Sequence, residues 1–102
     1  MKAYATYYQE RCNQAAQDQG VTQLVSEINK AGIAATIEQT GGFTMAAYIE
    51  LSGDTYIYAN PYGAATYDSE GYGADILQFD TAQDPAIIVK ALQDYLLENK
   101  GE

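Results

Sequence analysis

Residues 33–60 alternate between apolar and polar side chains in three short segments, and this pattern constrains the fold more than any other feature of the sequence. Glycine-containing turns at residues 40–42 and 52–54 separate the segments. Glycine accepts the positive φ that tight hairpin turns need. A period of two places alternate side chains on opposite faces of a strand. The sequence therefore predicts three consecutive antiparallel strands joined by short turns.

The same alternation divides the strand residues between two faces of one sheet. One face is apolar and must face the core; it consists of Ile33, Ala35, Ile37, Met45, Ala47, Ile49, Leu51, Ile57 and Ala59. The other face is polar and aromatic; it consists of Thr36, Glu38, Thr44, Tyr48, Glu50, Tyr56 and Tyr58. This mixture of tyrosine and glutamate is the most informative surface that the sequence predicts.

Two predicted helices precede the strands in the sequence. Residues 2–19 form a predicted helix, in which apolar residues recur at helical spacing: Tyr4, Tyr8, Cys12 and Ala15. A second apolar stripe lies on a different side of the helix axis and consists of Val21, Leu24, Val25 and Ile28. We therefore expect a break near Gly20 and a second helix that ends at Gly32, a residue type suited to helix C-termini.

Two further strands and a helix are predicted after the first three strands. Residues 64–67 and 72–79 have strand character, and a turn at residues 68–71 separates them. Asp84 and Pro85 are typical of a helix start, and Lys100 and Gly101 of a helix end. Residues 1–102 thus form a single predicted α+β domain. Its core is an antiparallel meander of four or five strands, with N-terminal helices and a C-terminal helix packed on one face.

The face that carries the tyrosines has two interpretations. Helices on both faces of the sheet would make the tyrosines part of the core. Glu38 and Glu50 argue against that arrangement, since they share the face with the tyrosines and an unpaired carboxylate is costly to bury. We therefore expect this face to be open.

Charge is distributed unevenly along the chain. The formal net charge is -9, yet Lys and Arg are absent between residues 31 and 89. The acidic residues of that segment are Glu38, Glu50, Asp54, Asp68, Glu70, Asp75, Asp80 and Asp84. Six of the ten tyrosines lie there too. Such a segment either aids solubility or attracts a basic partner, with carboxylates steering association and tyrosines supplying contact area.

Patterns typical of catalysis or metal binding are weak. Histidine is absent and Cys12 is the single cysteine, so we predict that Cys12 is a small core residue rather than a nucleophile. Two pairs of carboxylates could act as acid and base, Asp68 with Glu70 or Glu38 with Glu50, but the middle segment offers no cation to stabilise a developing anion. The acidic loop at residues 68–75 lacks the spacing of an EF-hand calcium loop. We expect a protein that is not an enzyme and binds no cofactor.

The charge also restricts the partners. Direct nucleic-acid binding is not expected, because a protein of this charge gains no counterion release from a polyanion. The chain shows no apolar run near ~18 residues and no signal-peptide pattern, so we expect a cytoplasmic protein without a membrane partner. The predicted residues for binding a basic protein are Glu38, Tyr48, Glu50, Asp54, Tyr56, Tyr58, Asp68, Glu70 and Asp75.

In size, charge and layout, the chain resembles the small acidic inhibitors made by phages and mobile elements. These include anti-CRISPR proteins and other anti-restriction DNA mimics, which share no motif. The resemblance implies a non-enzymatic inhibitor that binds a Cas effector or a similar nuclease complex at its basic nucleic-acid-binding surface. The carboxylates would then take the place of phosphates.

Two other classes of protein fit the same composition. Immunity proteins and antitoxins are also small and acidic, and they neutralise a basic toxin by covering its active site. One compact group of acids and tyrosines would indicate that class, whereas the even spacing from Glu38 to Asp84 favours a DNA mimic. The third class is a phage structural or assembly subunit, which would use the first helix to form a homodimer with a second copy of the chain.

Overall fold

The chain forms one antiparallel sheet and three helices in the computed structural model, which describes residues 2–42, 44–51 and 53–98. The elements are α1 (Lys2–Asp18), α2 (Val21–Lys30), β1 (Thr36–Gly41), β2 (Thr44–Glu50), β3 (Tyr56–Asn60), β4 (Gly63–Tyr67), β5 (Gly73–Gln78) and α3 (Pro85–Glu98). The strands lie in the order β1-β2-β3-β4-β5, and neighbouring strands are antiparallel. The predicted α+β class is confirmed, with five strands.

The predicted break between the N-terminal helices lies at Gly20, whose φ of 77° is left-handed. α1 ends two residues before Gly20 and α2 begins directly after it. The predicted stripe of α2 is entirely buried and consists of Val21, Leu24, Val25 and Ile28. The change of direction at Gly20 lets both helices turn their apolar sides to the same core, which one straight helix could not do.

α1 packs on the sheet through small side chains. Cys12 and Ala16 are buried in the core, so Cys12 is confirmed as a core residue. The buried stripe differs from the predicted one at its end, where Ala16 is buried and the predicted Ala15 is only half-buried. Tyr8 of that stripe is 39% exposed, and the side chain of Tyr4 lies outside the described residues.

β1 begins at Thr36, and the prediction that this strand starts at Ile33 is wrong. The amide of Ile33 donates to the Ile28 carbonyl at 3.2 Å and closes the C-terminus of α2. The side chain of Asn29 then binds both backbone groups of Ala35, accepting from its amide at 2.8 Å and donating to its carbonyl at 3.2 Å. Residues 33–35 are therefore held by α2 instead of pairing with β2.

The core lies on the predicted apolar face of the sheet. Its buried side chains from the strands are Met45, Ala47, Ile49, Ile57, Ala59 and Ala64. All three helices pack on this face, and α3 contributes Ile88, Val89 and Leu92. Ile37 departs from the prediction and is 38% exposed, because it lies on the edge strand β1. Within the described residues, the opposite face of the sheet is covered by no helix.

α3 begins as predicted, with the Asp84 carboxylate accepting a hydrogen bond from the Ala86 amide at 2.9 Å. Its predicted end at Lys100 and Gly101, like Ser52 of the second turn, lies outside the described residues.

A bulge in β5 decides which of its side chains face the core. Ala64 is paired with Leu77, whereas the next residue, Ala65, is paired with Asp75, so Ile76 is the extra residue. Asp75 and Leu77 would share a face in a regular strand. Because of the bulge, Leu77 packs against the core and Asp75 lies on the opposite face with Ala65.

Candidate functional site

The uncovered face of the sheet, here called the tyrosine face, carries four tyrosines in mutual contact: Tyr48, Tyr56, Tyr58 and Tyr67. The contacting ring centroids lie 5.2–5.8 Å apart, with geometries from stacked to edge-on. All four side chains are half-buried, although no helix among the described residues covers them. Each ring is therefore held in place by the others, and the cluster forms an ordered aromatic surface.

Strand register brings these rings together. Tyr48 is paired with Tyr58 across β2 and β3, and Tyr56 is paired with Tyr67 across β3 and β4. Side chains of directly paired residues lie on the same face of a sheet and about 5 Å apart. Two cross-strand pairs on adjacent rows thus make a compact four-ring cluster.

Tyr67 is a member of the cluster that the sequence does not predict as a binding residue. The sequence predicts a strand over residues 64–67 but assigns none of its residues to a face. Alternation from the buried Ala64 places Ala65 and Tyr67 on the tyrosine face. The alternating pattern was therefore present, although only the register with β3 fixes it.

The predicted carboxylates surround the cluster on three sides. Glu38 lies on the edge strand β1, and Asp75 lies on the other edge strand, β5. Glu50 is paired with Tyr56 at the end of the sheet where the β2–β3 and β4–β5 turns also lie. Asp54 is in the first of these turns and Glu70 is in the second, and all five of these acids are exposed.

Asp68 differs from the other predicted binding residues, because its carboxylate is used inside the β4–β5 turn. Its Oδ1 atom accepts hydrogen bonds from the amides of Glu70 at 2.9 Å and Tyr72 at 3.0 Å. This is the bonding pattern by which aspartate stabilises turns. Asp68 therefore shapes the end of the sheet and is half-buried there.

The hydroxyls of the central tyrosines stay protonated at neutral pH. Burial raises the pKa of Tyr48, and the carboxylates of Glu50 and Glu38 raise it further. Burial also raises the pKa of Tyr58, with additional contributions from Tyr56 and Glu38. Both phenols are thus hydrogen-bond donors next to carboxylates that accept, so the face presents both partners of a polar contact.

A groove of about 550 Å³ lies beside the cluster. Small residues of the tyrosine face line it, including Ala46, Gly63 and Ala65, and the rings of Tyr58 and Tyr67 border it. Asp75 is the one charged residue among the described residues that line the groove. The tyrosine face therefore has a raised aromatic half and a recessed half.

Other kinds of site find no support in the described part of the chain. It contains no group of three or more acids, cysteines or histidines placed to hold a metal ion. No helix in it combines the length and the apolar character needed to cross a bilayer.

Comparisons of the chain with protein-family models, with curated proteins and with solved structures gave no significant match. We therefore infer function from the geometry of the tyrosine face.

Proposed function

We propose that the protein is a non-enzymatic inhibitor that binds the basic nucleic-acid-binding surface of a bacterial defence nuclease complex, in the manner of an anti-CRISPR protein. It would act in the cytoplasm of the host cell. The tyrosine face would be its contact surface. The observation that carries this proposal is the four-tyrosine cluster on an uncovered sheet face, with exposed carboxylates on three sides of it.

The cluster has the properties of an interface centre. Tyrosine offers a large contact area with few torsions to freeze on binding. Here the mutual ring contacts already restrict those torsions in the free protein, so ordering the rings on binding costs little further entropy. Interface centres rich in aromatic residues and surrounded by polar rims are typical of the residues that dominate binding energy.

The carboxylates select the chemistry of the partner. Lys and Arg are absent between residues 31 and 89, which include all five strands. The field over the tyrosine face is therefore negative, and it attracts a basic surface while repelling nucleic acid. Surfaces that bind DNA or RNA are basic because they neutralise phosphates, and they are the natural counterpart of this face.

A specific observation favours a second candidate, an immunity protein that neutralises a basic nuclease toxin. The four rings form one compact group rather than an extended strip. A compact centre suits insertion into a single active-site cleft. The carboxylates, in contrast, are spread from β1 to β5, as a mimic of a phosphate backbone requires.

Binding assays with purified targets test the proposal. The tagged protein is offered to CRISPR effector complexes and to basic nuclease toxins at low and high salt, with and without competing DNA. We expect binding to an effector complex that weakens as salt rises and that DNA competes away. Binding to a toxin alone would select the immunity function, and binding to neither class would contradict both functions.

A pair of charge-matched variants tests the surface itself. The variant Glu38→Lys/Glu50→Lys/Asp54→Lys reverses three acids around the tyrosine cluster. The control Glu10→Lys/Asp18→Lys/Glu98→Lys reverses three exposed acids on α1 and α3 and has the same net charge. We expect the first to abolish binding and the control to retain most of it. Equal losses in both would mean that net charge, and not the tyrosine face, attracts the partner.

A further inference from the structure

The tyrosine face contains a gap of one side chain over Ala65. Ala65 is paired with Tyr58 on one side and with Asp75 on the other. Neighbouring strands lie about 4.8 Å apart, so the backbones of Tyr58 and Asp75 are separated by roughly 10 Å. The methyl group of Ala65 fills little of this space. The side chains of Tyr58 and Asp75 therefore lie on one face with only the small side chain of Ala65 between them, and all three residues line the groove beside the cluster.

One more residue, Tyr67, borders the gap. Tyr67 lies two residues beyond Ala65 on β4 and closes the gap toward one end of the sheet. Toward the other end the gap opens into the groove of about 550 Å³. The Asp75 carboxylate is exposed and forms no hydrogen bond or ion pair with other described residues. Its charge is therefore available to a group that enters from outside.

We propose that this gap receives an arginine side chain of the basic partner, whose guanidinium stacks on the tyrosine rings and binds the carboxylate of Asp75. The proposal rests on the function proposed above and names the partner chemistry of the same face. The methylene groups of the arginine would lie over Ala65 in the groove. Nucleic-acid-binding surfaces are rich in arginine, because arginine contacts phosphates and base edges.

The shape of the gap favours arginine over lysine. A guanidinium is planar, stacks on aromatic rings and presents a fork of donors that matches a carboxylate. It is also less strongly hydrated than an ammonium group, so it loses less on entering a half-buried position. Between a ring and a carboxylate, arginine would stack on the ring and bind the carboxylate with its fork of donors at the same time. Lysine would interact through its charge alone.

Short peptides test the selectivity of the gap without knowledge of the partner. The ¹⁵N-labelled protein is titrated with tri-arginine and with tri-lysine, which carry the same side-chain charge. We expect tri-arginine to shift the amide signals of Ala65 and Asp75 and to bind at least about threefold more tightly than tri-lysine. Equal affinities, or shifts confined to other parts of the molecule, would overturn the proposal.

Two variants with matched controls locate the site. Ala65→Leu fills the gap, whereas Ala74→Leu adds the same group at an exposed position on the other face of β5. Asp75→Asn removes the negative charge of the gap, whereas the control Glu10→Gln removes one negative charge from α1. We expect each gap variant to weaken tri-arginine binding at least about fivefold and each control to leave it unchanged. Thermal unfolding would verify that all four variants fold.

The same variants separate this inference from the proposed function. If Ala65→Leu and Asp75→Asn bind the protein partner as the wild type does while Tyr58→Ala does not, the tyrosine face is the interface and the arginine site is wrong. If Tyr58→Ala also binds the partner normally, the proposed interface itself is wrong. Loss of partner binding in the two gap variants, with their controls intact, would support the arginine site.

Discussion

The ring of Tyr67 lies directly over Gly73, its cross-strand partner on the edge strand β5. A Cβ atom at Gly73 would lie 2.7 Å from Cε1 of Tyr67, well inside van der Waals contact. An aromatic ring that covers a glycine in this way shields the backbone of an edge strand. The Tyr67 ring of the four-tyrosine cluster can therefore lie in this position only because Gly73 has no side chain.

Gly73→Ala should displace the Tyr67 ring and disturb its stacking on Tyr56. We expect changed chemical shifts for both rings, a loss of about 1 kcal/mol in the free energy of unfolding and a larger loss in partner binding. Ring NMR spectra, urea unfolding and calorimetric titration with the partner measure the three effects. The control is Gly41→Ala, because a Cβ at Gly41 has nothing within 4 Å. Unchanged ring shifts in Gly73→Ala would show that the cluster does not depend on this contact.

Gly63 has a separate role, at the bulge that orients Asp75. Its φ is 153°, and a Cβ there would overlap the carbonyl oxygen of Leu77 on β5. The Cβ would be attached directly to the backbone of β4, and the oxygen belongs to the backbone of β5, so the paired strands must move apart to admit it. We expect Gly63→Ala to lower the free energy of unfolding by about 3 kcal/mol, as strained backbone sites do.

The control for Gly63 is Gly71→Ala. Gly71 has a φ of 88° but nothing within 4 Å of an added Cβ, so only the conformational penalty of about 1–2 kcal/mol applies. Urea unfolding of both variants measures the difference. Equal destabilisation would mean that β5 moves away from Gly63 without cost.

Tyr56 and Tyr58 each contact three other rings of the cluster, and their replacement separates binding from stability. We expect Tyr56→Ala and Tyr58→Ala to cost about 2 kcal/mol or more in partner binding. The loss in stability should be smaller, about 1 kcal/mol, because the rings lie outside the core cluster. Calorimetric titration and thermal unfolding give the two values.

Tyr7→Ala is the matched control for these tyrosines. Tyr7 is 56% exposed on α1, which packs on the other side of the sheet, and it should affect partner binding little. If Tyr56→Ala and Tyr58→Ala lower stability more than binding, their rings serve the fold rather than an interface.

The two faces of β2 and β3 could be predicted because strand periodicity is local. Alternation in the sequence placed Tyr48, Tyr56 and Tyr58 opposite the core, and the structure confirms that placement. Tyr67 joins them because the register of β4 with β3, set by the turn at residues 61–62, fixes which face the alternating residues of β4 occupy. The orientation of Asp75 depends on a bulge and could not be predicted from alternation, which ignores extra residues.

At the start of β1 the sequence has the alternation of a strand, but hydrogen bonds to α2 prevent these residues from pairing as one. Ile33 and Ala35 alternate with polar and small residues as a strand does, and both pack against the core. Asn29 binds the backbone of Ala35, however, and so occupies the groups that a strand would use for pairing. The signal is an asparagine near the helix end, and the sequence does not show that its side chain binds the backbone six residues further on.

The raised pKa values of Tyr48 and Tyr58 predict a loss of stability in alkaline solution. A folded-state pKa above the unfolded value means that the unfolded chain releases the phenolic proton first. The stabilising contribution is complete below the unfolded pKa of about 10 and is lost as pH rises through the folded pKa. We expect the double variant Tyr48→Phe/Tyr58→Phe, which has no such protons, to lose less stability between neutral and strongly alkaline pH than the wild type.

Urea unfolding as a function of pH measures the difference, with the exposed-residue variant Tyr62→Phe as control. Identical pH profiles for the double variant and the wild type would show that the two phenols ionise as freely in the folded cluster as in the unfolded chain.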